Sequence, residues 1–96
     1  MPQTPTGALQ YAHISTLTTT VVKSGAGYLH SIAINTKGAS GNVATVYDNT
    51  TGSGTVIAVI DPTANLQTLL YDVQFSTGLT IVTATGTAAD LTVSYA

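Results

Sequence analysis

The chain has 96 residues, a formal net charge of −2, no cysteine, and only 6% Asp, Glu, Lys and Arg, where ordinary soluble domains carry about 25%. That length holds one domain, and the missing cysteines exclude a disulfide framework and a thiolate metal site. The two cations, Lys23 and Lys37, stand apart, which excludes a basic footprint for nucleic acid, and no apolar run approaches membrane-spanning length.

In chain order, the stretch MPQTPTGALQ carries Pro2 and Pro5. Proline fixes φ and removes a backbone donor, so residues 1–12 read as an extended arm outside the sheets. The same stretch lacks the basic and apolar regions of a signal peptide, which points to a protein made and assembled inside a cell. From there the pattern is short strands punctuated by turns. ISTLTTTVVK (14–23) is β-branched almost throughout, and Ser24-Gly25-Ala26-Gly27 turns the chain. In YLHSIAINT (28–36), strict alternation places Tyr28, His30, Ile32, Ile34 and Thr36 on one face, against Leu29, Ser31, Ala33 and Asn35.

Strands at 42–48 and 55–61 flank the loop Asp48-Asn49-Thr50-Thr51-Gly52-Ser53-Gly54, and Asp61-Pro62 ends the second of them. QTLLYDVQF (67–75) alternates Leu69, Tyr71, Val73 and Phe75 against Thr68, Leu70, Asp72 and Gln74. LTIVTAT (79–85) and LTVSY (91–95) close the chain. No segment has a helical period. The expected fold is all-β: an antiparallel β-sandwich or jelly-roll-like domain of about seven short strands over residues 13–96.

Each chemistry-bearing residue has a plainer structural role. A calcium loop at 48–54 needs several carboxylates, typically with a bidentate Glu, and all four acidic residues here are Asp. Gly52-Ser53-Gly54-Thr55 lacks the lysine and helix of a phosphate loop, whereas Asp, Asn and Gly are what a long hairpin turn uses. Asn49-Thr50-Thr51 matches a glycosylation triplet without a secretory signal. His13 and His30 have no third ligand or oriented nucleophile beside them in sequence; His30, within an alternating strand, reads as a packed or interface histidine, and His13 precedes the first strand with no carboxylate or histidine close by. Asp48 and Asp61 flank one hairpin and form the one carboxylate pair a glycosidase reading can nominate; Asp72 and Asp90 stand alone. Tyr11, Tyr28, Tyr47, Tyr71 and Tyr95 are dispersed along the strands. The expectation is a chain with no catalytic residue, no cofactor and no metal ligand.

Nineteen threonines take the place of the missing charge. A free monomer relies on surface charge to resist association, so a neutral, Thr-rich, β-prone exterior suits a protein that neighbours cover. A secreted all-β domain with a Ser- and Thr-rich surface is the alternative.

The segments Lys23-Ser24-Gly25-Ala26-Gly27, Asn35-Thr36-Lys37-Gly38, Val46-Tyr47-Asp48-Asn49-Thr50 and Gly78-Leu79-Thr80-Ile81-Val82 resemble small structural proteins of tailed bacteriophages, over roughly residues 20–95. The resemblance implies a β-rich virion component. Together with the charge-poor composition, it leads to the expectation of a capsid decoration or cement protein. Its expected partners are the major capsid protein and copies of itself in a homo-oligomer, with a trimer the expected form, and no nucleic acid and no membrane. A neck, tail or head-fibre component, or a glycan-binding attachment module, are the alternatives. The family brings no active site with it.

Overall fold

The computed structural model describes residues 8–96, and over them the chain is an antiparallel all-β sandwich. Eight strands form it: β1 (Gln10–Ile14), β2 (Thr19–Ser24), β3 (Gly27–Thr36), β4 (Ala44–Asp48), β5 (Thr55–Ile60), β6 (Thr68–Phe75), β7 (Gly78–Val82) and β8 (Asp90–Tyr95). One sheet has the order β1-β8-β3-β6 and the other β2-β7-β4-β5.

The order follows from one long hairpin rolled up. β4 pairs with β5, β3 with β6, β2 with β7 and β1 with β8, so the four pairs are nested. The midpoint of each pairing, from Gln10↔Tyr95 to Thr45↔Val59, falls within residues 50–53. The 48–54 loop is therefore the tip of the whole molecule's hairpin, not of β4 and β5 alone. Lateral pairing of β3 with β8 and of β4 with β7 closes the roll. This is the eight-stranded jelly roll.

Eight strands replace the expected seven because residues 10–13, ahead of the expected first strand, pair with β8 as a strand of their own, and the 14–23 stretch keeps only Ile14 in β1 and residues 19–23 in β2. Ser15–Thr18 carries the chain from one sheet to the other, with no Gly or Pro to mark the crossing. Thr83 secures it: its amide donates to the Thr18 carbonyl at 2.8 Å, and its hydroxyl donates to the Thr16 carbonyl at 2.8 Å. Strand β1 also begins at Gln10, within the stretch expected as an arm; residues 1–7 of that arm lie outside the described residues.

The core is aliphatic. Leu29, Ile32, Ala44, Val46, Leu79, Ile81 and Val93 are fully enclosed, and Ile14, Ile34, Ile60, Phe75 and Leu91 nearly so. Each buried Leu, Ile or Phe contributes roughly 1.5–3 kcal/mol relative to exposure. One face assignment in β3 changes. Leu29 pairs with Tyr95 and Ser31 with Ser94, so His30 is an extra residue relative to β8. This bulge inverts the pleat. Leu29 joins Ile32 and Ile34 inside, while Tyr28 and His30 turn outward to the side of Ala33 and Asn35. In β6 the expected alternation holds in part: Leu69 and Tyr71 pack on the core and Phe75 is buried within it, but Val73, beside the left-handed Asp72 and the register shift, is exposed.

Both ends of β4 fasten the two sheets to each other. Before β4, the buried Asn42 donates from Nδ2 to the Thr85 carbonyl at 2.6 Å, holding the β7–β8 connection. At the other end, Asp48 holds the turn between β6 and β7.

Candidate functional site

The loop 48–54 is a structural cover. Asp48 accepts backbone amides from Ser76 at 3.0 Å, Thr77 at 2.8 Å and Gly78 at 3.3 Å, and the Ser76 hydroxyl at 3.2 Å. The amides of Ser76 and Thr77 are the main reason its carboxyl is held below the ordinary value. Asn49 receives the Thr80 hydroxyl on its carbonyl at 2.7 Å and donates from Nδ2 to the Ser53 carbonyl at 2.8 Å. The loop thereby lies against β7: a Cβ at Gly52 would stand 2.7 Å from the Val82 side chain, and Gly54 takes a φ of 94°. Those oxygens are spent on the fold.

Asp61 lies at the far end of β5 from Asp48. Six strand residues separate them, which is roughly 20 Å at about 3.3 Å per residue. A glycosidase pair needs about 5–9.5 Å, so the fold does not bring these two carboxylates together. Asp61 instead accepts the Thr63 amide at 3.0 Å and the Thr63 hydroxyl, and these bonds lower its pKa.

The other two aspartates meet the histidines, and all four lie on the outer face of the β1-β8-β3-β6 sheet. His13 Nε2 lies 2.7 Å from Asp90 Oδ1, which also accepts Asn35 Nδ2 at 2.9 Å; Asn35 donates to the Thr92 hydroxyl as well. Further across, Asp72 Oδ1 accepts the Tyr28 hydroxyl at 2.6 Å and lies 2.6 Å from His30 Nδ1. The Tyr28 and His30 rings stack with centroids 6.5 Å apart. Hydrogen bonds, first from Tyr28 and then from His30, hold the Asp72 carboxyl below its ordinary range, and the same carboxylate pushes the Tyr28 phenol up. Asp72 makes these contacts from a left-handed φ of 51°, a conformation costing an L-residue roughly 1–2 kcal/mol. His30 is thus a surface histidine paired with a carboxylate, not one packed beside Ile32 and Ile34. Its carboxylate partner lies 42 residues away in sequence, where no local motif reveals it. Among the described residues no group of three His, Cys, Asp or Glu side chains is placed to hold a metal ion.

The opposite outer face is different in kind. On the β2-β7-β4-β5 sheet, paired rows run Thr19–Val82–Thr45–Val59 and Val21–Thr80–Tyr47–Val56, with no Asp, Lys or His among them. Exposed apolar surface gathers at the sheet edges. Ten large apolar side chains are exposed among the described residues. Nine of them lie on the four edge strands or the chain beside them: Leu9, Tyr11, Leu17, Val21, Val56, Val59, Leu66, Leu70 and Val73. Val43 is the tenth. The short β1–β2 and β5–β6 connections place these edges on two flanks, β1 with β2 and β5 with β6. Edge strands ordinarily carry charge or proline to block pairing; β5, TVIAVI, has neither, and Val59 on it is 67% exposed.

Compared with protein-family models, with curated proteins and with solved structures, the chain matches none.

Proposed function

We propose that this chain is a non-catalytic structural subunit of a bacteriophage virion, a capsid decoration protein that docks through its sandwich flanks onto major capsid subunits and onto copies of itself. The observation that supports the reading is the placement of exposed apolar side chains. Nine of ten sit along the open edges, beside backbone donors and acceptors that a neighbouring strand or loop can pair. Charge that would oppose such contacts is scarce, at 6% of residues, and all four carboxylates are engaged within the fold. The resemblance to small phage structural proteins supplies the particle.

The mechanism is linkage. A subunit that binds the assembled lattice and not its separated parts stabilises the lattice, by about 2.7 kcal/mol per site when free subunit stands at 100 times its dissociation constant. Weak contacts repeated by shell symmetry then add up across the particle.

Co-sedimentation of the purified chain with empty heads tests this. Saturable binding of many copies per head, with a raised head-disruption temperature, is the expected result. Saturation at about a dozen copies places the protein in a neck or tail ring instead, and no binding removes the reading.

A further inference from the structure

At the end of the sandwich where β2 and β6 finish and β3 begins, an open cavity of about 680 Å³ is lined in part by Lys23, Tyr28, Asp48, Gln74, Phe75 and Ser76. That volume lies within the roughly 300–1,000 Å³ of small-molecule sites. Two backbone irregularities set residues that line it, Lys23 and Tyr28. In β2, Val21 pairs with Thr80 and Lys23 with Leu79, so Val22 is an extra residue and Lys23 falls opposite a fully enclosed side chain. Lys23, half-buried as a residue, lines the cavity, and both ion pairs among the described residues belong to histidines, not to Lys23. In β6, the left-handed Asp72 anchors the Tyr28 hydroxyl at 2.6 Å, and His30 stacks on the Tyr28 ring. The ring is fixed at its tip and along one side before any ligand arrives.

The lining chemistry selects a ligand class. The Tyr28 hydroxyl gives its proton to Asp72, and the Ser76 hydroxyl gives its proton to Asp48, so each presents lone pairs. Gln74 offers both a carbonyl and an amino group, and Lys23 offers three donors. One ammonium beside one carboxylate gives a phosphate-rich ligand little to hold. A wholly apolar ligand strands Lys23 and Gln74 without partners. A ring bearing several hydroxyls, each both donor and acceptor, matches the set, with its C–H face against an aromatic side chain. We propose that this cavity is a subsite for a neutral monosaccharide unit, with Tyr28 as its platform and Lys23 and Gln74 as its hydroxyl partners. The proposal is independent of docking onto a shell: either one stands if the other fails.

The test is an amide-shift titration of the full ¹⁵N-labelled chain with glucose, galactose, mannose, fucose, rhamnose and N-acetylglucosamine in turn. At least one sugar is expected to give saturable shifts in the millimolar range, centred on Gly27, Tyr28, Gln74 and Phe75. Gln74→Ala, on an exposed side chain, weakens that binding by about tenfold, the scale of one lost hydrogen bond. Tyr28→Ala removes binding while thermal unfolding remains cooperative. Shifts with none of the six sugars, or shifts that Gln74→Ala leaves unchanged, overturn the proposal.

Discussion

The two outer faces of the sandwich are built from the same strand chemistry and end with opposite surfaces. On the β1-β8-β3-β6 face, His13, His30, Asp72 and Asp90 are drawn into two hydrogen-bonded clusters with Asn35 and Tyr28. On the β2-β7-β4-β5 face, the paired rows are threonine, valine and one tyrosine. A chain with six formally charged residues thus puts two of them on one face, with both histidines, and none in the paired rows of the other. The contrast teaches that sparse charge is partitioned, leaving a neutral face, covered at Thr80 by the chain's own 48–54 loop, and bare edges on which a neighbour meets little desolvation cost.

The largest effect is expected where that neutrality is broken. Val59→Lys places an ammonium on the uncharged β5 edge, and head binding falls by at least about tenfold because docking then buries an unpaired charge. Ser94→Lys, on the central strand of the polar face, leaves binding within about twofold. Val59→Lys, at an exposed position, keeps its unfolding free energy within about 0.5 kcal/mol, and Ser94→Lys, at a half-buried one, is compared with it at equal folded fraction. Equal losses from the two lysines break the comparison.

A second expectation concerns what holds the sheets together. Asn42→Ala deletes the bond to the Thr85 carbonyl inside the molecule and costs about 1–3 kcal/mol, read as a lower urea midpoint at constant slope.

Acid sharpens the same point. All four aspartates have carboxyls held below their ordinary value of 3.8. A depressed folded pKa means stabilisation that is complete above the unfolded value and lost as pH falls through the folded one. The urea midpoint therefore drops as pH is lowered below 3.8. Asp48→Asn lowers the midpoint at neutral pH and makes the acid fall shallower; an unchanged acid profile removes the clamp role assigned to Asp48.

The smallest effect is expected at His13. Its contact with Asp90 is exposed, so His13→Ala changes stability by at most about 1 kcal/mol. Amide exchange is raised in β1 and left unaltered in β4.

Much of the fold is legible in the residues because turns and alternation are local signals. The strand pattern from β4 to β8 reads directly, and Asp61-Pro62 marks the end of β5. The division between β1 and β2 does not read, because Ser15-Thr16-Leu17-Thr18 continues a β-prone run, and the bonds that bend it come from Thr83, 65 or more residues on. The polar clusters are illegible for the same reason. One signal was available: Leu29 and Ile32 are both large and apolar but stand at opposite parity, which a regular strand with one buried face does not allow. Asp72 is another, an aspartate inside a strand that otherwise favours β-formers. Together they point to the bulge that brings Tyr28, His30 and Asp72 into contact.

The edge-docking account is tested most directly by amide hydrogen exchange of the chain free in solution and bound to heads. Slowed exchange on binding is expected at the open edges, above all in β5 and its flanking residues, with β8 and the centre of β3 unchanged. Protection confined to the His13–Asp90 and His30–Asp72 face, with β5 exchanging as fast on the particle as off it, contradicts the account.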